Sequence, residues 1–124
     1  LSATQNVIMG QTHIMEHDIR NEGNVLVVSL SGDVDLEQSP VARKVLLECV
    51  GRGGNVLVDL SGVGYIDSSG VASLVEAYQA ARKAQTAFAL AAVSAGAMRV
   101  LELARLNKVF AIHDSLEAGL ESLG

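Results

Sequence analysis

The six-residue run NVLVDL, Asn55 to Leu60, and the residues after it limit most tightly how this chain can fold. A continuous apolar run of that length, ended by a turn, suits a strand covered on both faces, and such strands lie inside parallel sheets. From Ser68 or Ser69 the apolar period changes to that of a helix. Val71, Leu74, Val75 and Tyr78 share one face, with Glu76, Gln79, Arg82 and Lys83 elsewhere. Strand, turn and amphipathic helix in that order make one βα unit, whose next parallel strand is reached by a right-handed crossover.

Units of the same kind fill the rest of the chain. Thr12 to Ile19 and the β-branched run VLVVSL, Val25 to Leu30, read as two strands joined at NEGN, a hairpin. After SGDVDLEQSP a helix begins, with Ser39 as N-cap and Pro40 at its first position. Ala42, Val45, Leu46 and Cys49 follow at helical spacing, and Gly51, Gly53 and Gly54 end it. TAFALAAV, Thr86 to Val93, reads as another buried strand, and Ser94 caps a helix containing Ala97, Leu101 and Ala104. A short apolar segment, Val109 to Ile112, precedes a last helix capped by Asp114 or Ser115, with Leu116, Leu120 and Leu123 on one side. The expected fold is α/β, in the order β-β-α-β-α-β-α-β-α. It has a mostly parallel sheet of four to five strands, an N-terminal antiparallel hairpin and about four helices.

Composition narrows what such a domain does. The 124 residues are enough for about one domain. Hydrophobic residues make up 49% of the chain but aromatics only 3%, so the core has to be built from Val, Leu, Ile and Ala. Fourteen acidic residues against nine basic ones, with no Lys/Arg cluster longer than a pair, argue against nucleic acid, where phosphate neutralisation supplies most of the affinity. A single cysteine excludes an internal disulfide and fits a reducing, cytoplasmic setting; Cys49, on the apolar face of its helix, reads as a packing residue. The longest uncharged stretch, Ala84 to Met98, falls short of the roughly 20 residues of a membrane-spanning helix. Residues 1–11 carry no signal-peptide pattern and read as a flexible leader to a domain over 12–124.

In open parallel sheets functional groups gather at the carboxyl ends of the strands, and SGVGYIDSSG lies at that end of NVLVDL. The residues leave three readings open. Ser68 caps the helix while Gly70 permits the turn and Asp67 favours the helix dipole. Alternatively, Ser68 or Ser69 is a nucleophile served by His113 and Asp114, a reading that lacks both a G-x-S-x-G elbow and an S-x-x-K pair. The third is regulatory: a surface hydroxyl accepts a phosphate worth about −1.5 to −2 charges and so blocks a docking surface. A phosphate-binding P-loop is excluded, since the glycines here lack a following G-K-[ST].

Two motifs resemble those of the STAS domains, and among these the bacterial anti-sigma factor antagonists: LSGDVDLEQSP, Leu30 to Pro40, and VLVDLSGVGYIDSSGVASL, Val56 to Leu74. With the order of elements, the resemblance covers about Thr12 to Leu123. It implies that Ser69, immediately before the motif's glycine, is the phosphoacceptor, with Ser68 the second choice. It also implies a partner-binding surface of Asp33, Asp35, Asp67, Ser68, Ser69 and Gly70. The partners implied are an anti-sigma factor that is also a serine kinase of the histidine-kinase-like ATPase type, and a PP2C-type phosphatase. The phosphate donor belongs to the kinase, so this chain is expected to hold no cofactor or metal and to catalyse nothing. STAS domains also serve as tails of anion transporters, as stressosome-type scaffolds, and as soluble subunits of lipid-transport ABC systems that contact a permease.

Smaller features have plainer readings. HIMEH, His13 to His17, matches the H-x-x-E-H zinc string, but it precedes a strand rather than lying on a helix, and His13 and His17 read as one face of a partly exposed strand. Met98 and Leu101 read as packing residues, and Arg43, Lys44 and Arg99 as solvated. Tyr65 is a candidate for the docking surface, and Ile66 for the anchor of its turn.

Overall fold

The computed structural model describes residues 14–124. The proposed leader, residues 1–11, and His13 lie outside the described residues. Five strands form one sheet in the order of the sequence: β1 (Glu16–Glu22), β2 (Val25–Val34), β3 (Asn55–Ile66), β4 (Phe88–Ala91) and β5 (Ala111–His113). β1 and β2 are the antiparallel hairpin, closed by Gly23–Asn24, and every later pairing is parallel. The helices are α1 (Ser39–Gly51), α2 (Ser68–Ala84), α3 (Ala95–Leu103) and α4 (Leu116–Leu123). The β-β-α-β-α-β-α-β-α order is therefore observed. A short 3-10 turn, Leu106–Lys108, is added before β5.

Two apolar clusters hold the layers. The larger lies under α1, α2 and α3, where Val28, Leu30, Val56, Val58, Leu60 and Leu90 of the sheet meet Ala42, Leu46, Cys49, Leu74, Ala77 and Leu101. Cys49 is fully buried, and that burial pushes its thiol pKa up. The smaller lies on the opposite face, where Leu116, Leu120 and Leu123 of α4 cover Val25, Val27, Leu57, Ala89 and Ala91. Further along the strands this second face turns polar: Arg20 Nη1 donates to Ser29 Oγ at 3.4 Å, and Ser29 Oγ donates to Asp59 Oδ2 at 3.2 Å.

β3 departs from the sequence reading. It does not stop at Leu60 but runs on to Ile66, because two register shifts each insert one extra residue opposite β2. Ser29 pairs with Asp59 but Ser31 with Gly62, and Gly32 pairs with Val63 but Asp33 with Tyr65. These are β-bulges, and they change the side-chain rhythm. Leu60, Val63 and Ile66 are buried at every third residue instead of every second. β2 is also longer than expected and β4 shorter. Gly32, at φ +85°, lies where a Cβ would collide with the carbonyl oxygen of Ile14, so the chain entering β1 crosses tightly over the end of β2.

The helix starts differ as well. Ser39 is not the cap of α1 but its first helical residue, and it is buried. The turn before it is built by Asp35, whose Oδ1 accepts from the Gln38 N–H at 3.0 Å and whose carbonyl accepts from the Ser39 N–H at 2.7 Å. Ser94 and Ser115 do cap α3 and α4, accepting from the N–H groups of Ala97 and Ala118.

Candidate functional site

The carboxyl ends of β2 and β3 lie side by side, Asp33 opposite Tyr65 and Val34 opposite Ile66. Ile66 is buried and anchors the end of β3, while Tyr65 is 51% exposed. One residue on, Asp67 takes an extended backbone conformation and becomes the N-cap of α2. This corrects the expectation that Ser68 is the cap. A carboxylate reaches the orphan amide groups of the first helical turn as well as a hydroxyl does, and it also complements the helix dipole.

Asp67 Oδ1 accepts three hydrogen bonds: from the N–H of Ser69 at 3.0 Å, from the N–H of Gly70 at 3.1 Å, and from the Ser69 hydroxyl at 2.6 Å. These donors hold the Asp67 carboxyl below its usual pKa, the hydroxyl most strongly and the Leu36 N–H from the neighbouring loop also contributing. Ser68 is exposed and Ser69 half-buried.

The first turn of α2 is seated firmly on its neighbours. The Asp67 N–H donates to the Val34 carbonyl at 3.3 Å. Gly70 packs so closely that a Cβ would collide with that same carbonyl oxygen and lie 2.7 Å from Ile66 Cγ1. One turn further, the buried Ser73 hydroxyl lies 3.2 Å from both the Ser69 and the Ser39 carbonyl oxygens, so it joins the starts of α1 and α2. Beyond it, Arg43 Nε of α1 meets Glu76 Oε1 of α2 at 2.6 Å on the surface. On the other flank Ser94 Oγ donates to the Val63 carbonyl at 2.6 Å, which fixes α3 to the bulged end of β3.

The six surface residues expected from the sequence, Asp33, Asp35, Asp67, Ser68, Ser69 and Gly70, thus gather at one edge of the sheet. They do not do the same work. One Asp35 oxygen holds the α1 turn, and Gly70 is buried as a close-contact residue. Leu36, 74% exposed, and Val41 stand at the start of α1 and add apolar surface to this edge. Sequence reasoning missed both: Leu36 lies in the turn before the helix, where no periodicity marks it, and Val41 lies on the exposed side of α1, off the apolar stripe of Ala42, Val45, Leu46 and Cys49. Ser73 was missed too; its sign is a hydroxyl on the apolar face of an amphipathic helix. His113, the proposed partner of a nucleophilic serine, sits at the end of β5, two strands from β3, and the Ser69 hydroxyl is bonded to Asp67 instead. His17 is exposed on β1, and among the described residues no group of three His, Cys, Asp or Glu side chains could hold a metal ion.

Comparison with known proteins agrees with this architecture. The anti-sigma-B factor antagonist of Bacillus subtilis is 24% identical over 104 residues, covering 84% of this chain and 95% of that protein. The crystal structure of an anti-sigma factor antagonist from Mycobacterium paratuberculosis superposes with a TM-score of 0.82 at 25% identity, over 88% of this chain and 93% of that one. The phosphorylated form of the Bacillus cell fate determinant SpoIIAA, 14% identical, shares the fold with a TM-score of 0.70 over 88% of this chain and 100% of that one. Residues 16–119 match the sequence profile of the STAS domain. With both motifs, the strand order and the profile in agreement over most of its length, the chain belongs to the STAS domain family.

Proposed function

We propose that this chain is an anti-sigma factor antagonist. In its dephosphorylated form it sequesters an anti-sigma factor that is also a serine kinase of the histidine-kinase-like ATPase type, and so frees a sigma factor in the cytoplasm. It is a binding module and not an enzyme: the kinase brings the ATP and Mg²⁺, and a PP2C-type phosphatase resets the cycle. The observation that carries this reading is the Ser69 hydroxyl at the first turn of α2, at the same sheet edge as Asp33 and the exposed Leu36, Val41 and Tyr65. Apolar side chains around a small polar centre are what a docking surface needs for affinity, and the centre is where a charge does most harm. A phosphate on Ser69 would set about −1.5 to −2 charges beside Asp67, in a surface the partner has to desolvate.

The test combines modification with binding. Incubated with such a kinase from the same organism, ATP and Mg²⁺, the wild-type protein gains a single phosphate by mass spectrometry, and Ser69→Ala gains none at that position. Ser69→Ala binds the kinase whether or not ATP is present, and Ser69→Asp binds at least about tenfold more weakly, roughly 1.4 kcal/mol, by calorimetry. Equal binding by the two variants would remove the charge mechanism. Co-purification with a permease and its ATPase would replace this reading with a lipid-transport one.

A further inference from the structure

Two serines stand side by side at the start of α2, and exposure alone favours the wrong one, since Ser68 is exposed and Ser69 half-buried. Asp67 distinguishes them. Its Oδ1 takes the Ser69 hydroxyl proton in a 2.6 Å hydrogen bond, while the Ser69 and Gly70 amides fix that oxygen in place. No bond of this kind ties Ser68 among the described residues. The hydroxyl rotor of Ser69 is therefore set, with its hydrogen on Asp67 and its lone pairs turned away from the carboxylate. The main chain beneath is set too, through the Asp67 N–H on Val34 and the Ser73 hydroxyl between Ser69 and Ser39.

We infer that Asp67 is the positioning residue that decides which serine is phosphorylated: it presents Ser69 Oγ to the γ-phosphoryl group of a nucleoside triphosphate held by the partner kinase. This rests on the phosphorylation reading given above. In the transfer the Ser69 Oγ–P bond forms while the bond from γ-phosphorus to the bridging β–γ oxygen breaks. The nucleoside diphosphate leaves with that electron pair, and the hydroxyl proton is lost to solvent water as the Oγ–P bond forms, Asp67 staying ionised. Phosphoryl transfer makes modest demands on a base and large ones on alignment, so a carboxylate that only orients the nucleophile contributes to the rate.

The experiment compares wild type, Asp67→Asn and Asp67→Ala with the same kinase, ATP and Mg²⁺. The phosphate is located by tandem mass spectrometry, and initial rates are fitted for kcat and KM. Wild type carries phosphate on Ser69 alone. Asp67→Asn keeps a capping side-chain oxygen and, though less stable than wild type, stays folded at the assay temperature, but loses about tenfold in kcat with KM changed less than about twofold. Asp67→Ala places a measurable share of its phosphate on Ser68; should that variant fail to fold, the kcat of Asp67→Asn decides. Phosphate on Ser69 alone at the wild-type kcat in the folded variants overturns the inference and leaves the phosphorylation reading standing. A wild-type protein that accepts phosphate on neither serine, from a kinase that modifies another antagonist, removes that reading and the inference with it.

Discussion

At the scale of the residue, Asp67 binds the site to the stability of the fold. Its carboxyl titrates below the ordinary carboxylate value in the folded chain, chiefly because the Ser69 hydroxyl and two amides stabilise the charged form. A group whose folded pKa is depressed stabilises the protein fully above its unfolded pKa, about 3.9, and loses that contribution as pH falls through the lower folded value. Asp67→Asn is therefore less stable than wild type near pH 6, and the gap narrows as the pH is stepped down below the unfolded carboxylate value in urea denaturation curves. A second residue-scale outcome concerns Gly70. Alanine raises helix propensity by roughly 1 kcal/mol in a helix interior, but here its Cβ meets the backbone of Val34, which cannot rotate away. The collision wins, and Gly70→Ala destabilises by about 2 kcal/mol, read as a lower urea midpoint at unchanged slope.

At the scale of the element, the bulged end of β3 does most to place the site, and its fixing to α3 is testable. Ser94→Ala removes both the cap of α3 and the bond to the Val63 carbonyl, and costs about 1–2 kcal/mol by chemical denaturation. The same element shows what the sequence could and could not reveal. NVLVDL is legible as a strand because its neighbours cover it on both faces, and α2 because Val71, Leu74, Val75 and Tyr78 share one face at helical spacing. SGVGYI reads as a loop because two extra residues convert the strand period of two into a burial period of three, and no local propensity announces a bulge. The cap of α2 was misassigned for a related reason: Asp, Ser and Ser in succession are all good capping residues, and only the extended backbone at Asp67 selects among them. The position of Ser69 could be read from the motif, but not its bond to Asp67, since neighbours in a helix start meet only once the turn is formed.

At the scale of the whole molecule, the two cores are unequal, and among the described residues α4 alone supplies the helical side of the smaller one. Leu120→Ala, at a half-buried position, lowers stability by about 1–2 kcal/mol in urea, less than the roughly 2–5 expected of a fully buried leucine. Cutting the chain after Asp114 uncovers Leu57, Val25 and Val27 together; such a face binds apolar dyes and drives self-association in gel filtration.

The monotonic strand order carries a consequence for synthesis. Each strand pairs with the one made just before it, so no early segment has to wait for a distant late one to complete its ladder. The ties that hold Ser69 join residues between Val34 and Ser73, one unbroken stretch of chain. The widest of these ties spans 34 residues, and the entropy of closing a loop grows only slowly with its length. On a ribosome delivering the chain from its N-terminus, the parts that present the hydroxyl are all in hand before β4, β5 and α4 have been made.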